Sequence, residues 1–431
     1  MTPEIEKRIK AVKAGWVPAG YKKTKVGIVP KDWGEVRFHD MFSRVTRKNK
    51  DCNTNVLTIS AQYGLINQND FFNKTVASDD KSNYYLLEKG EFAYNKSYSN
   101  GYPFGALKRL DYYDKGIVSP LYICFAANEN NKYPDFYVHY FEAGLMNKEI
   151  QAFAQEGARN HGLLNISVED FFNSNLLNPP LEEQKRIAEI LSAQDKIIEL
   201  KEKLIAEKQR QKKHLMQTLL DEKIKRTPFK INGVVIDKGK WEKKKLGDVC
   251  NTFSGGTPNR SHSEYFGGDI PWIKSGELNQ GEIYNTEEFL TKKGIENSSA
   301  KIVPKETLLI AMYGATAGVL AYTFIEAAIN QAILALVPKK EINKTYLKSI
   351  IEIQIDKATH RLVQGGQPNF NASIIESFLL SIPSLPEQQA IAAVLSSTDE
   401  EITLLQRELE QEKLKKKSLM QLLLTGIVRI K

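Results

Sequence analysis

The chain has 431 residues, with 60 Lys and Arg against 52 Asp and Glu, a formal net charge of +8 and a pI near 9.0. That length allows two to four domains, each able to bury a core, and the charge points to a polyanion such as nucleic acid rather than to an acidic substrate or a neutral small molecule. Cys52, Cys124 and Cys250 are odd in number, far apart and in no C-x-x-C, which argues against a disulfide framework or a zinc site and fits a reducing cytoplasm.

Taken in chain order, residues 1–30 open on a charged helical stretch, MTPEIEKRIK, without the apolar core of a signal peptide, and continue into turn-rich sequence. From Trp33 to Asn178, short apolar or aromatic runs (55–60, 116–127) alternate with Asn, Gly, Asp and Ser clusters. Those are strand and turn signals, mixed with helical pattern over Phe136 to Gln155, and they predict an α+β domain at 31–180. Asn178-Pro179-Pro180-Leu181 resembles the Asn-Pro-Pro-aromatic motif of DNA amino-methyltransferases, in which the aromatic ring stacks on the flipped base. Leucine cannot supply that ring, so the prolines read better as a stop before a capped helix. From Leu181, apolar residues at Ile187, Leu191, Ile198, Ile205, Leu215 and Leu219 alternate at spacings of four and three, with Gln194, Lys201, Lys208 and Lys212 at the remaining places. This predicts a long helix over 181–226.

Everything then happens again. PPLEEQKRIAEILSAQDKIIEL and PSLPEQQAIAAVLSSTDEEITLL stand in ungapped register with Leu181 facing Leu385, and KKHLMQTLL at 212–220 faces KKSLMQLLL at 416–424. The copies also open alike, on Trp33 to Asp40 and Trp241 to Asp248. The duplication predicts a second α+β domain at 227–382, with strands near 270–276, 307–314 and 328–338, and a second long helix at 383–431. Its seam is Ile391, Leu395, Ile402, Leu405, Leu409, Leu419 and Leu423, with Thr398, Glu412 and Lys416. Two equal heptad-like seams in one chain predict that the helices pair with each other, antiparallel because a globular domain lies between them; the alternative, which the polar seam residues keep open, is two separate amphipathic helices, each lying on its own domain. About 40 helical residues make a rod of about 60 Å. Thr307 to Ile325 is free of charge and contains a G-x-x-x-G, but its counterpart at 91–110 is polar and charged, so the segment reads as buried strands with glycine turns and not as a membrane span.

No motif for chemistry stands out. The six histidines show no metal-ligand spacing, and Ser254-Gly255-Gly256-Thr257-Pro258 and Gln364-Gly365-Gly366-Gln367 lack the G-K-[ST] of a P-loop. What remains are loops suited to DNA, where Arg, Asn and Gln match guanine and adenine edges and Lys grips phosphate. In the first domain they contain Arg44, Arg47 and Lys48; Lys96, Ser97, Tyr98, Ser99 and Tyr102; and Arg159, Asn160 and His161. In the second they contain Ser254, Thr257 and Arg260; Lys274; Tyr313 and Thr316; and Arg361, Gln364, Gln367, Asn369 and Asn371. The 95–102 and 312–316 loops correspond, as do those at 159–162 and 364–371. Arg159 and Gln367 are the expected base readers, Lys96 and Lys274 the expected phosphate contacts.

The duplicated signature L-x-E-Q-x-x-I-A-x-x-L-S-x-x-D, standing at Leu181 to Asp195 and Leu385 to Asp399 with each K-K-x-L-M-Q-x-L-L tail, resembles the specificity subunits of Type I restriction-modification systems. SGGTP at 254–258 with Ile270-Pro271-Trp272-Ile273 resembles the start of a recognition domain of that family, while the first domain has SRVTRKNK there and reads as a different subtype. The resemblance implies two target-recognition domains joined by two long antiparallel helices. It implies a double-stranded DNA partner read as a bipartite site, with no catalysis and no cofactor in the chain itself. It further implies two methyltransferase subunits and motor-nuclease subunits as partners, in the cytoplasm and with no membrane. The rival readings are a fused methyltransferase or nuclease, and a coiled-coil scaffold that binds no DNA.

Overall fold

The structure is a computed structural model that describes residues 2–60, 64–71, 80–98, 101–156, 164–221, 228–362 and 369–430. It divides into two units, residues 1–202 with 407–431 and residues 203–406. Both long helices, Leu181–Leu220 and Leu385–Leu423, contribute a segment to each unit.

In the first unit the opening helix, Pro3–Lys13, carries proline in its first turn, where the missing N–H costs nothing. The recognition domain is built on an antiparallel sheet of strands 42–44, 123–127, 92–95 and 106–109 in that spatial order. A second lobe holds the pairs 85–88 with 115–118 and 57–60 with 64–67. The expected helix over Phe136 to Gln155 is two helices, Pro134–Glu142 and Asn147–Phe153. The break falls at Gly144, whose φ of 69° is open to glycine and not to the α-helix. The core is aromatic: Phe38, Phe42, Phe92, Phe125, Phe136, Tyr137, Tyr140, Phe141 and Phe171 are all buried.

The second unit repeats this frame with different filling. Its main sheet runs 250–254, 333–338, 307–311, 320–323, the same order and pairing, with a short parallel strand 282–283 added at the edge. A mixed sheet of strands 288–290, 266–273, 327–329 and 301–303 forms its second lobe. The uncharged stretch at 307–325 is therefore a buried hairpin, and among the described residues no helix is long and apolar enough to cross a membrane. Here the main core is aliphatic, with Leu246, Leu334, Leu336, Leu347, Ile350, Ile351 and Ile375. The anchors survive the exchange. Tyr137 Oη donates to the Leu177 carbonyl (3.2 Å) and Tyr346 Oη to that of Ser381 (2.7 Å). Strand 34–37 pairs with 175–178 as 242–245 pairs with 379–382.

Within each unit the two long-helix segments run antiparallel, their seam closed by Ile187, Leu191, Ile391 and Leu395, all fully buried. The polar seam positions are paired across it. In the first unit Gln194 donates to Glu412 (2.7 Å), Lys201 meets Glu408 (2.6 Å) and Lys416 meets Asp195 (2.5 Å). In the second, Lys208 meets Glu401 (2.6 Å) and Lys212 meets Asp399 (2.5 Å). The conserved-spacing Asp of each signature thus meets the Lys of the other copy's tail. The motif glutamine does local work: Gln184 Nε2 donates to Asn178 Oδ1 and the Pro179 carbonyl (2.8 Å each), so Asn178 ties the domain to the helix start.

The last turns of the second helix and the tail after it belong to the first domain. Leu419, Met420, Leu423 and Leu424 join its core, Tyr21 Oη donates to the Gly426 carbonyl (2.7 Å), and Arg429 spans Asp32 and Glu183. Glu183 also accepts from the Trp33 indole N–H (2.8 Å).

Candidate nucleic-acid interface

The sheet brings the residue after one strand of each domain against a segment distant in sequence. In the first domain the loop after strand 92–95 meets the far side of the 156–164 segment, where the Leu164 N–H donates to the Lys96 carbonyl (3.1 Å). In the second the loop after strand 307–311 meets the end of the 362–370 segment, and the Phe370 N–H donates to the Met312 carbonyl (2.7 Å). In both domains the residue after the equivalent sheet strand thus accepts from a backbone N–H more than fifty positions further along the chain. Tyr98 is 62% exposed and Tyr313 37%, so both rings are available for contact. Lys96, Ser97 and Thr316 are half-buried at the loop bases, with the Ser97 N–H donating to Asn95 Oδ1 (3.1 Å). Asn369 is exposed. Ser99, Arg159, Asn160, His161, Gln364 and Gln367 lie outside the described residues, as does the side chain of Arg361.

A second group of cations follows the first sheet strand of each domain. Arg44 ends strand 42–44 and is exposed. Arg47 lies on Glu91 (2.7 Å) and near Glu88 (3.8 Å), and Lys115 lies on Glu88 (3.1 Å). The Lys48 ammonium sits over the Tyr85 ring at 4.3 Å and donates to the Asn83 carbonyl. In the second domain Ser254 ends strand 250–254, and Gly255 and Gly256 follow because a Cβ there would collide with the Ile329 carbonyl and with Ser299. That close approach is between two parts of the domain. It delivers Arg260 over the rings of Phe266 (5.1 Å) and Trp272 (5.4 Å), with its guanidinium on Glu288 (3.0 Å). Lys274 lies on the same carboxylate (3.0 Å) and on Glu287 (3.2 Å). Glu288, followed by Glu287, holds the Lys274 ammonium above its ordinary pKa, and Lys274 and Arg260 hold Glu288 below its own.

Three of the expected contacts have internal work. Tyr102 Oη donates to Glu142 (2.6 Å) beside Lys108, and burial and Glu142 push its pKa up. Thr257 Oγ1 is bonded to Gln331. Asn371 Oδ1 accepts from Ile374 N–H (2.8 Å) as the cap of helix Ala372–Glu376, the role Ser167 has in the first domain. Sequence reasoning missed the carboxylates. Glu88, Glu91 and Glu288 are far in sequence from the arginines they hold, and no local spacing announces them.

The model of the Type I restriction modification DNA specificity domain matches this chain twice, over residues 30–209 and 238–414. The chain belongs to that family. A specificity subunit of Methanocaldococcus jannaschii named MjaX is 26% identical over 430 residues, covering 95% of this chain and 97% of its own. The MjaVIII type I restriction enzyme specificity subunit of the same organism is 27% identical over 328 residues, 74% of this chain and 75% of its own. The EcoR124I/EcoR124II specificity subunit of Escherichia coli is 25% identical over 169 residues, 38% and 42% of the two chains. The fold is shared with a chain solved in work on assembly and conformational transition of the type I R-M system, with TM-score 0.57 and 19% identity over 93% of this chain and 99% of that one. It is shared too with the Type-I restriction-modification S subunit from M. genitalium, with TM-score 0.52 and 15% identity over 91% and 96%. As a Type I specificity subunit, the chain is a DNA-recognition component built of two target-recognition domains.

Proposed function

We propose that each recognition domain of this specificity subunit reads one half of a bipartite site in double-stranded DNA, while the paired helices set the spacer and dock two methyltransferase subunits. Motor-nuclease subunits complete the assembly in the cytoplasm, and the subunit itself has no catalysis and needs no cofactor. The observation that supports the reading best is a contact made at the same place in both domains, where the residue after the equivalent sheet strand, Lys96 or Met312, accepts from the backbone of a distant segment at Leu164 or Phe370. A duplicated fold that keeps its frame while its loops diverge fits a reader of two unlike half-sites. Phosphate contacts from Arg44, Arg47, Lys48, Lys96, Arg260 and Lys274 supply salt-dependent affinity, and base edges are left to the loops that hold Arg159, Asn160, Gln364, Gln367 and Asn369.

The decisive experiment exchanges residues 241–382 for the corresponding domain of a relative and selects the bound sites from random duplexes with the methyltransferase subunit present. One half of the selected site is expected to change and the other to stay. A change in both halves would sink the model of independent readers, and salt-independent or absent DNA binding would favour the scaffold reading.

A further inference from the structure

Both domains, with unrelated sequences at this place, arrive at the same arrangement of charge. An arginine in the segment after the first sheet strand lies against a carboxylate beyond the neighbouring strands, and a lysine from a third segment lies against a carboxylate of the same group. In the first domain these are Arg47, Glu88 with Glu91, and Lys115; in the second they are Arg260, Glu288 and Lys274. All are partly open to solvent: the side chains of Arg47 and Arg260 are 41% and 57% exposed. Exposed pairs of this kind add little to folding, so stability does not explain why the arrangement occurs twice. Binding to a polyanion does.

An uncovered arginine and lysine would grip any phosphate, and a reader gains nothing from affinity that ignores sequence. Carboxylates against both cations (Glu288 3.0 Å from Arg260 and from Lys274; Glu91 2.7 Å from Arg47, with Glu88 3.8 Å from Arg47 and 3.1 Å from Lys115) answer a phosphate with like charge, so the cations become available only when the backbone is held in register by contacts made elsewhere in the domain. We propose that Glu91 with Glu88 in the first domain, and Glu288 in the second, are specificity-determining residues, which hold Arg47 and Arg260 back from the phosphates of non-cognate DNA and yield them to the cognate site. This rests on the DNA-reading function proposed above and adds to it the residues that suppress sequence-blind binding. Arg260 keeps its place during the exchange, because it is seated over Phe266 and Trp272.

The test uses the full chain with its methyltransferase subunit, a duplex selected by the unaltered protein, and a random-sequence duplex of equal length. Glu288→Gln is expected to tighten binding to the random duplex by about three- to tenfold and to steepen its salt dependence by up to about one unit, with cognate affinity nearly unchanged. Glu242→Gln removes a carboxylate from an exposed pair with Lys244 on another strand of the same unit, and so controls for net charge alone. Equal tightening by Glu242→Gln, or a Glu288→Gln effect that is the same for cognate and random duplexes, overturns the inference and leaves the DNA-reading function standing. If the unaltered protein binds no duplex, the function itself falls and the inference with it. Glu88→Gln combined with Glu91→Gln, which together remove both carboxylates from Arg47, repeats the test in the first domain, and decides it should Glu288→Gln fail to fold.

Discussion

His139 shows how a residue without any motif can carry a measurable property. It sits on helix Pro134–Glu142 and is 4% exposed, with Nε2 3.0 Å from Ser192 Oγ and Nδ1 3.7 Å from Asp195 on the first long helix. Burial, opposed by Asp195 and assisted by Lys416, lowers its pKa to about 4, with Asp135 and Glu142 also facing it. The folded protein therefore keeps His139 neutral where an unfolded chain, with a value near 6.5, takes up a proton. Stability from this group is fully present above about pH 6.5 and is lost as pH falls toward 4, by at most about 3 kcal/mol. His139→Gln should flatten the dependence of unfolding free energy on pH across that window, measured by urea titration at several pH values. An unchanged slope would mean that the imidazole takes up its proton alike in the folded and the unfolded chain. In the sequence His139 was one of six histidines with no telling spacing. Its role depends on a helix packing against a residue more than fifty positions away, which periodicity does not encode.

At the level of elements, the long helices were legible almost throughout, because a seam repeated twice in register leaves few alternatives. The partner of each polar seam position was not. The Asp of the signature meets the tail Lys of the other helix, as Asp195 with Lys416 and Asp399 with Lys212, so two motifs that look independent in sequence are halves of one contact made twice. Asp195→Lys or Lys416→Asp alone should each lower stability by up to about 1 kcal/mol through like-charge contact, and the double reversal should recover most of it. Additive losses in thermal melts would show that the pair is not coupled. Recognition-loop assignments were less legible for a plain reason. Tyr102 and Asn371 are polar residues in glycine-containing loops, and the sequence pattern does not distinguish a side chain turned outward from one that caps a helix or meets a half-buried glutamate.

For the whole molecule, the two domains keep one frame and exchange its contents. Phe38 and Leu246 occupy the same place, each fully buried, each in the helix turn after the opening strand. Phe38→Ala should cost about 3 to 5 kcal/mol and Leu246→Ala about 2 to 5, and each loss should appear only in its own unit by hydrogen exchange. Duplication and helix pairing could be read from sequence because both copies repeat the same hydrophobic pattern; the strand order, which depends on pairings between distant segments, could not, and the change from an aromatic to an aliphatic core could be seen only as composition. The contribution of the tail to the first core carries a consequence for synthesis. A ribosome releases residues 203–406 as a complete unit while the first domain, made earlier, still lacks Leu419, Met420, Leu423 and Leu424. At about 5 to 20 residues per second, that domain waits some ten seconds or more with one wall of its core open, exposed to chaperone and protease, and a premature stop late in the message damages the half of the protein that was translated first.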